Sequence, residues 1–196
     1  MNLASQYVVT PFLAHHAEPL HSAVTSSVPH LSPWLPWCND DYSLKDAQAW
    51  VASSRQEWRA DQDYRFLIEH IKSGRIAGSV AVRKTGSLPK TGNLGYWVAV
   101  SDLGLGITAW AAQQVLHFAF DKLGFRRIEI IVLPDNHASN AVARKLGATF
   151  EGLKRNAIAI SNQLLDSNCY SVIPTDFGVA NDASIHLQAH FATPTS

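Results

Sequence analysis

The stretch Gly95-Tyr96-Trp97-Val98-Ala99-Val100, continuing through Ser101-Asp102 into Leu103-Gly104-Leu105-Gly106-Ile107-Thr108, decides how this chain is read. Its first six residues are a strand of aromatic and aliphatic character. Its end opens a segment in which Ile107, Trp110, Ala111, Val115, Phe118 and Ala119 recur at helical spacing, and the pattern predicts a helix over 107–123 closed by Gly124. A strand that turns on two glycines into a helix presents the unpaired N–H groups and positive dipole end of the first turn, where an anion binds well. The same glycines also suit a turn that needs them for its own geometry, and both readings stay open on this feature alone. No Gly-Lys-Ser/Thr follows, so this is not a nucleotide phosphate loop, and the third glycine of a dinucleotide fingerprint is missing.

Working downstream, 127–133 is a β-branched run typical of a buried strand, 138–146 a short helix ended by Gly147, and 153–160 and 164–173 two strands around a turn at Ser161-Asn162-Gln163. Working upstream, 94–100 is the deciding strand and 84–93, with its glycines, threonines and proline, a loop. Strands are predicted at 64–71 and 75–83 around Ser73-Gly74, and a helix over 43–59 with Ser43 as its N-cap and Asp46 in the first turn. An aromatic, proline-bearing loop (31–37) precedes it, and a first helix over 14–28 is expected to stop before Pro29. One domain, 1–177, accounts for these elements, and 178–196 is expected to be a polar, partly disordered tail.

Lys plus Arg and Asp plus Glu each number 16 in 196 residues, so the formal net charge is zero. No global field pulls the chain toward nucleic acid or an anionic membrane, and any anion must be held by a local site. No apolar run is long enough to span a bilayer and no signal peptide is evident, so a cytoplasmic location is expected. Cys38 and Cys169 stand alone as free thiols, without a disulfide framework or a partner that would make either a nucleophile. Neither His15-His16 nor the His186, His190 pair has the carboxylate company of a metal site, and no metal is expected.

A second constellation, Asp135-Asn136-His137-Ala138-Ser139-Asn140-Ala141-Val142-Ala143-Arg144, follows the next strand. With Gly95-Tyr96-Trp97, Gly104-Leu105-Gly106-Ile107, Glu151-Gly152 and the hairpin ending in Asp166 and Tyr170, it resembles the GNAT superfamily of acyl-CoA-dependent N-acetyltransferases. More narrowly, it is similar to the RimJ/RimL-like branch that acetylates N-terminal residues of ribosomal proteins. The resemblance implies a mixed α/β (α+β) fold: a mostly antiparallel sheet, a splayed central parallel strand pair, and helices on both faces. It implies acetyl-CoA as co-substrate. The pantetheine arm would lie along Trp97, Val98 and Ala99, and the pyrophosphate on the N–H groups of Leu103, Gly104, Leu105, Gly106, Ile107 and Thr108, with Arg144 assisting. An amide near Val98 would polarise the thioester carbonyl. Asn136, Ser139 and Asn140 would stand beside the cofactor, with Asn136 positioning and Ser139 giving a proton to the departing thiolate. Each of these also suits a helix cap.

The chain departs from the family pattern at three places. Leu103 stands where the pyrophosphate motif usually has Arg or Gln, Ala143 where many members carry a tyrosine acid, and Ile158 where ribosomal-protein serine acetyltransferases carry a glutamate base. At pH 7 freeing a neutral α-amine costs roughly 1.4 kcal/mol, against roughly 4.6 for lysine. A site without a dedicated base therefore favours α-amines. Glu69, Glu129 and His117 are other sources of a base. Trp34 and Trp37, with Tyr96, are candidates for the acceptor side, the tryptophans serving equally well as core. The expected reaction is direct acetyl transfer to a primary amine, of a protein N-terminus or of a small molecule. A weakly active acyl-CoA-binding module is the rival reading, and the chain is expected to be a monomer or homodimer.

Overall fold

The computed structural model describes residues 2–86, 90–160 and 163–176; the expected tail and two residues of the predicted turn at 161–163 lie outside them. Seven strands form one sheet: β1 (Tyr7–Pro11), β2 (Asp63–His70), β3 (Arg75–Lys84), β4 (Thr91–Val98), β5 (Arg127–Val132), β6 (Thr149–Ile160) and β7 (Gln163–Val172), in the order β1-β2-β3-β4-β5-β7-β6. Every neighbouring pair is antiparallel except β4 with β5. That parallel pairing covers only Thr91 to Asn93 against Arg127 to Glu129, after which the two strands part.

Helices cover both faces, as the resemblance implies. On one face α4 (Ile107–Asp121) buries Ile107, Ala111, Val115, Leu116 and Phe118 against Phe66, Val80, Val82, Leu94 and Ile128, and α5 (His137–Lys145) adds Ala143. On the other, α1 (Ala17–Thr25), the short α2 (Val28–Leu31) and α3 (Leu44–Arg59) enclose Leu20, Val24, Leu31, Ala47 and Val51 with Leu67, Ile76 and Trp97. Each large side chain so buried contributes about 1.5–3 kcal/mol. The expected N-cap of α3 is present and is part of a capping box: Ser43 Oγ accepts from the Asp46 N–H and Asp46 Oδ2 accepts from the Ser43 N–H.

Four local expectations are corrected. The predicted first helix is divided: α1 stops at Thr25, and Pro29 sits inside α2 near its N-terminus, where a residue without an N–H is tolerated. Strand β1 replaces unassigned sequence; its alternation of buried Tyr7 and Val9 about exposed Val8 is too short to stand out. β4 begins at Thr91, inside the predicted loop, because Thr91-Gly92-Asn93 is paired on both sides, and a Cβ at Gly92 would lie 2.6 Å from the Phe125 ring. β6 begins at Thr149, with register shifts where Gly152 (φ +130°) and Asn156 (φ +54°) bend it.

Candidate active site

Where β4 and β5 part, a cleft of about 740 Å³ opens. Its walls are Asn93 to Val98 of β4 and Ile130 to Leu133 of β5 and its exit, closed above by α2 and the aromatic loop and below by the first turns of α4 and α5. Gly104 and Gly106 bend the chain into α4 with φ of +76° and +78°. A Cβ at either would meet no protein atom within 4 Å, so the demand for glycine is set by the left-handed backbone. Gly106 is the N-cap and offers no side chain to the first-turn N–H groups, which point where an anion would be held.

A cluster centred on buried Asp102 and Tyr7 leads into this turn. Asp102 Oδ1 accepts from Tyr7 Oη at 2.8 Å and Arg75 Nη2 at 3.0 Å, while Oδ2 accepts from Ser101 Oγ at 2.6 Å and from Arg75 Nη1. Burial works to raise the Asp102 carboxyl, but these hydrogen bonds outweigh it and hold the group below the ordinary carboxylate range. Sequence reading passed over Asp102; its partners lie on β1 and β3, which only the assembled sheet brings to it.

Of the residues singled out from sequence, Trp34, Tyr96, Trp97, Val98, Leu103, Gly104, Gly106, Thr108, Asn136 and Ser139 line the cleft. Ala99 and Ile107 are buried in the two cores, Leu105 is exposed on the turn, and Trp37 lines a neighbouring cavity. Arg144 is exposed and outside the lining; Lys145 is the basic residue of α5 within it. Asn136 caps α5, its Oδ1 accepting from the Ser139 N–H at 3.0 Å. Ser139 Oγ donates to Tyr96 Oη at 3.1 Å, and Tyr96 Oη donates to the Ser139 carbonyl at 3.1 Å. Burial pushes the Tyr96 phenol up to about 12, so it stays neutral. Asn140 is buried as a strut: Nδ2 donates to the carbonyls of Leu133 and Asn136, and Oδ1 accepts from Tyr170 Oη and Asn168 Nδ2.

Ile158 also lines the cleft, so the position without a carboxylate faces it. Glu69, Glu129 and His117 are not among the lining residues. His30, His137 and Asp135 are, and His30, on α2, is the one that sequence reading missed, because it falls between the helix expected to stop before Pro29 and the aromatic loop beginning at residue 31. Cys38 and Cys169 are buried, and burial pushes both thiols up, away from the thiolate. Cys169 approaches Glu129 and Glu151, with ligand atoms within 4.8 Å of one another. Those carboxylates already hold Arg127 and Lys154. Among the described residues, no helix is long and apolar enough to cross a membrane.

A sheet whose central strands part over a glycine-bounded helix N-terminus is the architecture of an acetyltransferase of the GNAT type. The chain belongs to that family, whose acetyltransferase (GNAT) domain matches residues 7–149. It is 27% identical over 159 residues to the ribosomal-protein-serine acetyltransferase of Escherichia coli (strain K12), covering 81% of this chain and 88% of that protein. Among solved structures it is similar to RimL, a ribosomal L7/L12 alpha-N-protein acetyltransferase in complex with coenzyme A, with a TM-score of 0.78 and 25% identity over 86% of this chain and 94% of that one. Its fold also matches Mycobacterium smegmatis RimJ in complex with CoA-disulfide, with a TM-score of 0.80 and 24% identity over 88% and 84% of the two chains.

Proposed function

We propose that this enzyme transfers an acetyl group from acetyl-CoA directly to a primary amine, the N-terminal α-amine of a protein or peptide. The parting of β4 from β5 after Asn93 is the observation that carries the reading. It leaves the backbone of Leu94 to Val98 edge-on to a cleft that ends at the helix N-terminus behind Gly106. An extended arm bearing amides suits such a strand edge, and a pyrophosphate suits the N–H groups of Leu103 to Thr108. The related structure with coenzyme A supports the co-substrate, and the related protein named an alpha-N-protein acetyltransferase supports the acceptor.

Acetyl-CoA supplies an activated thioester. The chain's own residues then have separable tasks. Backbone N–H groups near Val98 stabilise negative charge on the carbonyl oxygen in the transition state. Ser139 turns its hydroxyl proton from Tyr96 to the departing sulfur and regains, through water, the proton that the attacking nitrogen loses, while Tyr96, neutral at working pH, keeps the serine in place. With Ile158 in the cleft, the amine must arrive largely deprotonated, which an α-amine does at far lower cost than lysine.

Incubation with acetyl-CoA and a panel of peptides and small amines tests this, with free CoA measured and the acetyl group located by mass spectrometry. Acetylation of peptide α-amines is expected. Acetyl mainly on lysine Nζ or on small amines would overturn the acceptor assignment, and no CoA release with any amine would overturn the transfer itself.

A further inference from the structure

Against the cleft lies a second cavity of about 190 Å³, sharing Leu35, Asn93, Gly95, Tyr96 and Trp97 with it. Its floor is the sheet face beneath α3. Asp63 and Arg83 are cross-strand partners there, and Arg65, two residues along β2, shares their face. Hydrogen bonds to the Asp63 carboxylate converge on one oxygen: Oδ2 accepts from Arg65 Nε at 2.9 Å, Arg83 Nε at 3.1 Å and Arg83 Nη2 at 3.0 Å. Oδ1 is buried without a donor among the described residues. Two guanidinium groups thus face one carboxylate, an excess of one positive charge in a chain whose formal net charge is zero.

The two arginines differ in freedom. Arg65 is 7% exposed, donates to Ser53 Oγ at 2.9 Å and lies 4.2 Å over the Trp50 ring. The Arg83 side chain is 64% exposed and stands at the rim. The aromatic walls are already engaged, since Trp37 stacks on Trp50 at 6.0 Å and meets Trp97 edge-on at 6.4 Å. An incoming cation would therefore meet two guanidinium groups, and its best aromatic face is covered by Arg65. An incoming carboxylate would meet the Arg83 guanidinium at the rim, where a paired, charge-assisted contact adds geometric selectivity while solvent keeps its strength modest.

We infer that this cavity is a specificity pocket for acidic acceptors, taking the carboxylate of an Asp or Glu in the first two residues of the peptide whose α-amine is acetylated. The inference rests on the acetyl-transfer reading above. Peptides identical except for Glu, Gln or Lys at the second position would be compared by kcat/KM for CoA release. The Glu peptide should exceed the Gln peptide by roughly 2- to 5-fold, the range of a solvent-screened ion pair, and the Lys peptide should be poorer still. In Arg83→Gln the Glu-to-Gln ratio should fall toward one, and Arg83→Lys, which keeps a point charge, should retain part of it. Because a ratio is read, a partial loss of folded protein does not imitate the result. Equal kcat/KM for the three peptides, or preference for Lys, would overturn the pocket assignment while leaving acetyl transfer standing. No CoA release with any of them would overturn both.

Discussion

Gly78 on β3 makes the sharpest test of how the cleft is built. A Cβ added there would lie 2.3 Å from the Trp97 carbonyl oxygen and 3.0 Å from Val98 Cα, both backbone atoms of the cleft wall. Ordinary contact begins near 3.4 Å, so in Gly78→Ala the β4 backbone must retreat by about 1 Å from β3, there being no slack in a packed sheet. It can move only toward the side where β5 has already parted from it, narrowing the cleft at Trp97 and Val98. A misplacement of about 1 Å at a reacting centre can lower turnover on the order of 100-fold, and overpacking costs roughly 1–3 kcal/mol of stability. CoA release at saturating substrates and a thermal melt would be measured together. Gly86→Ala, where a Cβ meets nothing within 4 Å among the described residues, is the control and should behave as wild type. A folded Gly78→Ala protein with turnover within about threefold of wild type would refute the claim that β3 sets the position of the acetyl-handling backbone.

Three further outcomes are expected. Asn140→Ala removes the acceptor of the buried Tyr170 Oη and of Asn168 Nδ2, and should lower stability to urea by about 2 kcal/mol, whereas a cofactor contact alone would leave unfolding of the free enzyme unchanged. Hydrogen bonds from Arg127 hold the Glu151 carboxyl down at about 2 from an ordinary 4.5, so its stabilisation is complete above about 4.5 and disappears as pH falls toward 2. The urea midpoints of wild type and Glu151→Gln should accordingly differ at pH 7 and converge near pH 2, and a constant difference would contradict the ion-pair account. His30→Asn should lower kcat/KM by roughly 100-fold if the imidazole takes the proton from the amine, and a variant within about threefold of wild type assigns that proton to water.

The central βα unit was readable because each of its signals is local: Gly104 and Gly106 punctuate it, the apolar stripe of α4 has one period, and Gly124 ends it. The splayed strand pair followed from the family resemblance, since local pattern does not specify which strands pair or how far. The start of β4 illustrates the limit. Thr91-Gly92-Asn93 has loop composition, and only neighbours on both sides, one of them 36 residues away, make it a strand. Side chains that combine two plausible roles were equally unresolved by sequence. Asn140 reads as a cap or a ligand contact, but the fold buries it between β7 and the turn before α5. The Asp63, Arg65 and Arg83 cluster was invisible for a different reason, because the partners stand 20 residues apart and meet through strand register.

The three-residue seam between β4 and β5 gives this sheet an uncommon inventory of borders. A seven-stranded sheet ordinarily has two outer margins, but here β4 beyond Asn93 and β5 beyond Glu129 form two more in its interior. Exposed margins invite pairing with foreign chains, and proteins usually blunt them with charge, proline or distortion. These interior margins are apolar, Leu94 to Val98 against Ile130 to Val132, and are guarded instead by enclosure between the helices and the aromatic loop. The molecule thereby keeps an adhesive strand edge without offering it to other proteins. A slender ligand that joins both margins would fasten the two halves of the sheet together, raising resistance to unfolding in proportion to the logarithm of its concentration.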